Sequence, residues 1–169
     1  MNSQFIYTIK EHILLITTNF SKSNHTWDER SVLAGYSAFA YLIPVFFIKN
    51  TNKYTTIFKF LWILQTILVF TSDYILANRK DYLIRGFDRL LATSMVLTMI
   101  IITYKYYNIW YAIIGGFFPV FFVYNSKIAA RNQDWESYVI NHTLWHISGG
   151  IIASYFLYKI QLNNKLFVT

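Results

Sequence analysis

The chain has 169 residues, of which 55% are hydrophobic, 20% aromatic and only 14% charged; this is enough for one domain with a sizeable core. So little polar material cannot cover a soluble fold of this size, and the same apolar excess argues against disorder. The net charge is +7, but the cations fall singly or in short runs between apolar blocks, so no nucleic-acid surface is expected. There is no cysteine, which removes disulfides, zinc–thiolate sites and cysteine nucleophiles from consideration.

Residues 1–30 read as an N-terminal juxtamembrane segment. Within it, Phe5–Phe20 contains a short apolar run, HILLI, suited to an interfacial helix rather than a crossing. Lys10 and Glu11 interrupt the Phe5–Phe20 segment just before that run and no small-residue cleavage site follows, so a signal peptide is not expected. An integral membrane helical domain is expected over 31–158, followed by a C-terminal tail at 159–169. Its five apolar blocks are Ser31–Ile48, Thr56–Leu76, Asp88–Thr103, Tyr106–Tyr124 and Tyr138–Tyr158. With their flanking Tyr and Trp, the blocks match the roughly 17–25 residues that a helix needs to cross a bilayer. They are too long for buried strands of about 4–8 residues. The expected fold is therefore all-α: a polytopic transmembrane bundle with five crossings and room for additional short helices. Pro44 and Pro119 are positions where helices bend, and the pairs Gly115-Gly116 and Gly149-Gly150 permit close helix contacts. With a cytoplasmic N-terminus, Lys10, Lys22, Arg30, Arg79, Lys80, Arg85, Arg89, Lys127 and Arg131 all lie inside. That is nine basic residues against six on the other face, the bias that sets this orientation.

Several polar residues interrupt the apolar blocks. Block five contains NHTLWH, which sets His142 and His146 one i,i+4 step apart on one helix face, a spacing at which two imidazoles can share a metal. The alternative is a pair of interhelical hydrogen bonds. Ser72 and Asp73 stand near the end of block two, and Asp88 and Arg89 open block three. Taken singly, Ser72 is explained by a backbone hydrogen bond and Asp88 by the dipole at a helix N-terminus. Connectivity joins them: alternate crossings bring the end of helix two, the start of helix three and the start of helix five to one membrane face. A cluster of two His and an Asp there can hold a cation and activate water, with the second carboxylate accepting a proton and Ser72 orienting the water. Trp145, between the histidines, is expected in the core, with the wall of a lipid cavity as the alternative.

At these residues the chain resembles the membrane superfamily of alkaline ceramidases, progestin/adiponectin-type receptors and myomaker-like proteins. The resemblance rests on Ser72, Asp88 and the paired His142 and His146 within YVINHTLWHISGG. It implies a seven-helix fold with an intramembrane zinc site and, in enzyme members, hydrolysis of lipid amides or esters. Two features depart from the pattern: five blocks stand in place of seven, and IRGFDR places Arg85 where the family has a third histidine. An arginine does not ligate a metal. Trp27-Asp28-Glu29 resembles the acidic N-terminal calcium segment of alkaline ceramidases, but two adjacent acids do not make a calcium shell and calcium is not expected.

The expected function is metal-dependent hydrolysis of a lipid-like amide or ester. Ser72, Asp73 and Asp88 would be the catalytic residues; His142, His146 and Asp88 the metal ligands; zinc the metal; and membrane lipid the partner. The alternative is a non-enzymatic receptor-like or structural membrane protein whose polar site is degenerate, with Arg85 paired to Asp73 or Asp88.

Overall fold

A computed structural model of the protein describes residues 27, 29–49, 52–77 and 82–162. The Phe5–Phe20 segment, Asp28 of the calcium-like motif, Arg79, Lys80 and the chain after Leu162 lie outside the described residues. Among the described residues the chain is all-helical, without a strand, and forms five helices: α1 Val32–Phe47, α2 Lys53–Ile75, α3 Tyr82–Tyr106, α4 Ile109–Arg131 and α5 Trp135–Leu162.

Among the described residues, three of the five helices are long and apolar enough by themselves to cross a membrane: Lys53–Ile75, Leu83–Tyr106 and Ile109–Arg131. The other two differ for different reasons. α1 is short. α5 is 28 residues long, but Asn141, His142, His146, Ser148 and Ser154 lower its hydropathy.

Local chemistry sets the helix ends. Asn52 opens α2 through a capping box in which its side chain accepts from Thr55 N–H and Thr55 Oγ1 accepts from Asn52 N–H. Asn108 caps α4 by accepting from the Trp110 and Tyr111 amides. Asp134 starts α5 by accepting from Ser137 N–H at 3.0 Å. Before it, Gln133 adopts φ 57°, the left-handed turn that ends many helices, and Asp134 N–H returns to the Ala129 carbonyl.

α1 is not a uniform helix. Ser37–Leu42 forms a 3₁₀ stretch, because Pro44 has no N–H to give the Ala40 carbonyl and Ile43 N–H takes that acceptor instead. Gly150 of α5 packs on the same carbonyl so closely that a Cβ there would run into Ala40 C and O. In α4, Pro119 sits inside a helix that continues from Ile109 to Arg131.

The last turn of α2, Thr71–Ile75, is a π-helix in which Leu76 N–H donates to Thr71 O at 2.8 Å. This extra residue in the turn lets the neighbours Ser72 and Asp73 both face inward, at 1% and 8% exposure. α3 begins at Tyr82, six residues ahead of the expected Asp88. Asp88 is therefore no N-terminal acid: it stands well inside the helix and is 1% exposed. Its charge interrupts the apolar run but points into the bundle. The main core joins Tyr41, Phe58, Trp62, Met95, Leu157 and Ile160 around α5, and a smaller cluster of Trp27, Trp135, Tyr138, Ala129 and Ala130 closes the α4–α5 end.

Candidate metal centre

The π-turn of α2 and one face of α5 meet at a buried trio. Ligand atoms of Asp73, His142 and His146 all lie within 4.8 Å of one another. The two imidazoles, with ring centroids 4.6 Å apart, both turn Nε2 toward the same carboxylate oxygen. His142 Nε2 lies 2.8 Å from Asp73 Oδ2, and His146 Nε2 lies 3.6 Å from it. The second separation is too long for a hydrogen bond, and His146 Nε2 is buried without a hydrogen-bond partner. A buried imidazole nitrogen is seldom left so.

The opposite ring nitrogens are held by hydroxyls from two other helices. Ser37 Oγ of α1 lies 2.8 Å from His146 Nδ1, and Ser126 Oγ of α4 lies 3.3 Å from His142 Nδ1. Ser37 also donates to the Ala34 carbonyl at 2.7 Å. A hydroxyl has one proton, so with that proton on Ala34 O the Ser37 oxygen accepts from His146 Nδ1–H. This network assigns the Nδ1–H tautomer to His146 and leaves an Nε2 lone pair facing Asp73. A metal-binding imidazole needs this arrangement: one nitrogen bare, the other anchored. The donor set, two imidazoles and a carboxylate, fits a zinc-like divalent cation with ligand bonds of about 2.0–2.2 Å.

Asp88 lies outside this trio. Its Oδ1 accepts from Gln65 Nε2 at 2.8 Å and its Oδ2 from Ser72 Oγ at 3.0 Å. Ser72 Oγ is also 3.0 Å from Asp73 Oδ1 and 3.3 Å from Val69 O. One hydroxyl thus bridges the two carboxylates, and the backbone contact expected of Ser72 is the longest of the three. Arg89 lies 3.8 Å from both carboxylates and 5.3 Å over the Trp145 ring.

Arg85 turns elsewhere. Its guanidinium donates to Ala77 O at 2.6 Å and Leu76 O at 3.4 Å, carbonyls that follow the end of α2, where the helix dipole favours a cation. Arg85 therefore binds backbone, and Asp73 is the third potential ligand beside the two histidines.

The participants missing from the sequence reading are Gln65, Ser37 and Ser126. Gln65 was accessible to the criterion that found the histidines: it is a lone amide in FLWILQTILVF, and a polar side chain in such a run faces the bundle interior. Ser37 and Ser126 left no comparable trace, since serine is common in apolar helices and only α1 and α4 packing on α5 brings them to the rings.

An apolar cavity of about 360 Å³ runs beside the centre between α3, α4 and α5, with Trp62 and Gln65 of α2 on its wall. Trp145 is buried and lines it, so its core and cavity roles coincide. Comparison with known protein families, curated proteins and solved structures found no match to this chain.

Proposed function

We propose that this chain is a five-crossing integral membrane protein with a cytoplasmic N-terminus, and that it hydrolyses a lipid-like amide or ester using a divalent metal, zinc, held by Asp73, His142 and His146. In this reading it is a reduced, divergent relative of the alkaline ceramidase and adiponectin-receptor superfamily. The observation that carries the proposal is the buried His146 Nε2, unpartnered and facing Asp73, with its ring fixed from behind by Ser37. When bound, the metal supplies Lewis acidity, polarising a carbonyl and acidifying water.

The chain's own groups do the rest. Asp88, held by Gln65 and linked to Asp73 through Ser72, accepts a proton from the attacking water and returns one to the departing nitrogen or oxygen. Water thus adds across the acyl C–N or C–O bond, giving a carboxylic acid and an amine or alcohol. Ser72 serves as a bridge, since its contacts are carboxylates and a backbone carbonyl rather than an imidazole. Arg89 supports negative charge developing on the carbonyl oxygen. The neighbouring cavity would take the lipid chain.

The test is elemental analysis of the purified chain after extraction of adventitious metal, together with hydrolysis of N-acyl and O-acyl lipids. Wild type is expected to retain about one zinc per chain, and His142→Ala/His146→Ala to lose both metal and turnover. A folded wild type that takes up no zinc, or unchanged turnover in the double variant, overturns the proposal. The first result would favour the non-enzymatic structural alternative, with Arg89 in place of the expected Arg85 beside the two carboxylates.

A further inference from the structure

α1 grips His146 twice. Ser37 holds the ring at Nδ1, 2.8 Å away, and Tyr41, about one turn along the same helix, lies against the imidazole with ring centroids 5.3 Å apart. Two glycines of α5 let α1 come this close. Gly150 sits on the Ala40 carbonyl, and Gly149 leaves bare backbone beneath Tyr41, where a Cβ would lie 3.4 Å from Cε1 and 3.8 Å from the hydroxyl oxygen. Gly149 stands three residues past His146, a rise of about 4.5 Å, so the phenol hydroxyl lies within about one turn of the metal centre.

Tyr41 and Trp145 touch the histidines on one side and line the large cavity on the other. A group moving from the cavity to the metal centre therefore passes these two rings. Tyr41 is 7% exposed, and among the described residues its hydroxyl makes no hydrogen bond, although a buried tyrosine O–H normally finds a partner. The same wall carries two further polar atoms in that condition, Trp62 Nε1 and Gln65 Oε1. The Trp62 ring lies 6.0 Å from that of Tyr41, and Gln65 follows one turn later on α2 with its Nε2 committed to Asp88. Unpaired buried donors and acceptors are costly, and an otherwise apolar wall gathers three of them at the end that borders the centre.

We propose that Tyr41 is a catalytic residue of the hydrolysis: its hydroxyl donates a hydrogen bond to the acyl carbonyl oxygen and stabilises the negative charge that gathers there as water attacks. The proposal rests on the hydrolase reading above. Arg89 divides its charge between Asp73 and Asp88, at 3.8 Å from each, so a neutral, directional donor is the group free to respond to the oxygen. Tyr41 keeps its proton throughout: the proton of the attacking water goes to Asp88, and the departing nitrogen or oxygen receives one from Asp88. A donor of this kind gains most once the oxygen is charged, so it acts on kcat more than on KM.

Tyr41→Phe removes one oxygen that bonds to nothing in the chain and keeps the ring on His146, Trp62 and Gly149. The experiment compares it with wild type as full-length, zinc-loaded chains in phosphatidylcholine nanodiscs. Turnover of N-acyl and O-acyl lipids is measured, together with binding of a long-chain trifluoromethyl ketone, whose hydrate resembles the tetrahedral reacting carbon. Fluorine NMR reads that binding without turnover. In Tyr41→Phe, kcat should fall about 100-fold with KM little changed, and affinity for the ketone should fall by a similar factor. Zinc content should be unchanged, and the melting temperature unchanged or raised. Turnover and ketone affinity equal to wild type overturn the proposal; so does a loss of zinc or of thermal stability that parallels the loss of turnover, since the hydroxyl would then be structural. A wild type that holds no zinc and turns nothing over removes the hydrolase reading and this role with it. An active, zinc-loaded wild type beside an indifferent Tyr41→Phe removes this role alone.

Discussion

α4 and α5 pack against each other over a long interface, yet they are opposites. Four of the 23 residues of α4 are buried, against twelve of the 28 in α5. α4 is apolar and presents Ile114, Phe117, Phe118 and Phe121 outward. α5 is more polar and places Tyr138, His142, Trp145, His146 and Ser154 inside. In a soluble bundle the apolar helix would be the buried one. Here apolarity marks the face turned outward and polarity marks the face turned inward, the inversion that a lipid solvent imposes. α5 can hold its histidines because α1 and α4 bring hydroxyls to them; α4 needs no such partners.

The largest test of this contrast is a charge on the outer face of α4. Phe117 is 59% exposed, and Phe117→Arg should cost about 3 kcal/mol of insertion if that face meets lipid, read as loss of the chain from the membrane fraction. Unchanged insertion would break the comparison. Next is the seam between α1 and α5. Gly150→Ala drives a methyl into the Ala40 carbonyl and should destabilise the chain by about 1–3 kcal/mol, whereas Gly116→Ala on α4 meets open space and should stabilise it by about 0.5–1 kcal/mol. Thermal unfolding in detergent would show opposite signs for the same substitution on the two helices.

Removing the anchor behind a ring should be milder than removing the ring. Ser37→Ala frees His146 Nδ1 and should weaken zinc binding by about 10–100-fold with the fold retained, measured by chelator competition. The smallest effect is at the turn joining the two helices. Hydrogen bonds from Ser137, the hydroxyl's and then the backbone amide's, hold the Asp134 carboxyl below the ordinary carboxylate range. A depressed folded value makes the cap fully effective above about pH 4 and lost as the pH falls through the folded value. The protection of the Ser137 amide against exchange, relative to its intrinsic rate at each pH, should fall in acid for wild type and be low at all pH values for Asp134→Ala.

Helical class was legible in block length alone, since apolar runs of this length leave the backbone only one way to satisfy itself in lipid. The i,i+4 spacing of His142 and His146 placed both rings on one face, and connectivity put Ser72 and Asp73 near them. The partition between the two carboxylates was not legible. Asp88 was read as a ligand and as the start of a helix; it instead lies inside α3, bonded to Gln65 and Ser72, while Asp73 reaches the histidines. A one-residue difference in facing decides this, and the π-turn that creates it leaves no mark in periodicity. Arg85 was expected either at the position of a missing histidine or paired to Asp73 or Asp88, but the carbonyls of Leu76 and Ala77 after α2 draw it away.

The amino-acid sequence by itself determined the helices, the buried polar residues and the end of the bundle where they gather, because hydropathy and helical spacing are properties of the chain. Only the tertiary structure decided which oxygen faces which nitrogen, which serines fix the imidazoles, and that an apolar cavity opens beside them. Those outcomes depend on angles and packing between helices distant in sequence, where a single turn of backbone moves a side chain from one partner to another.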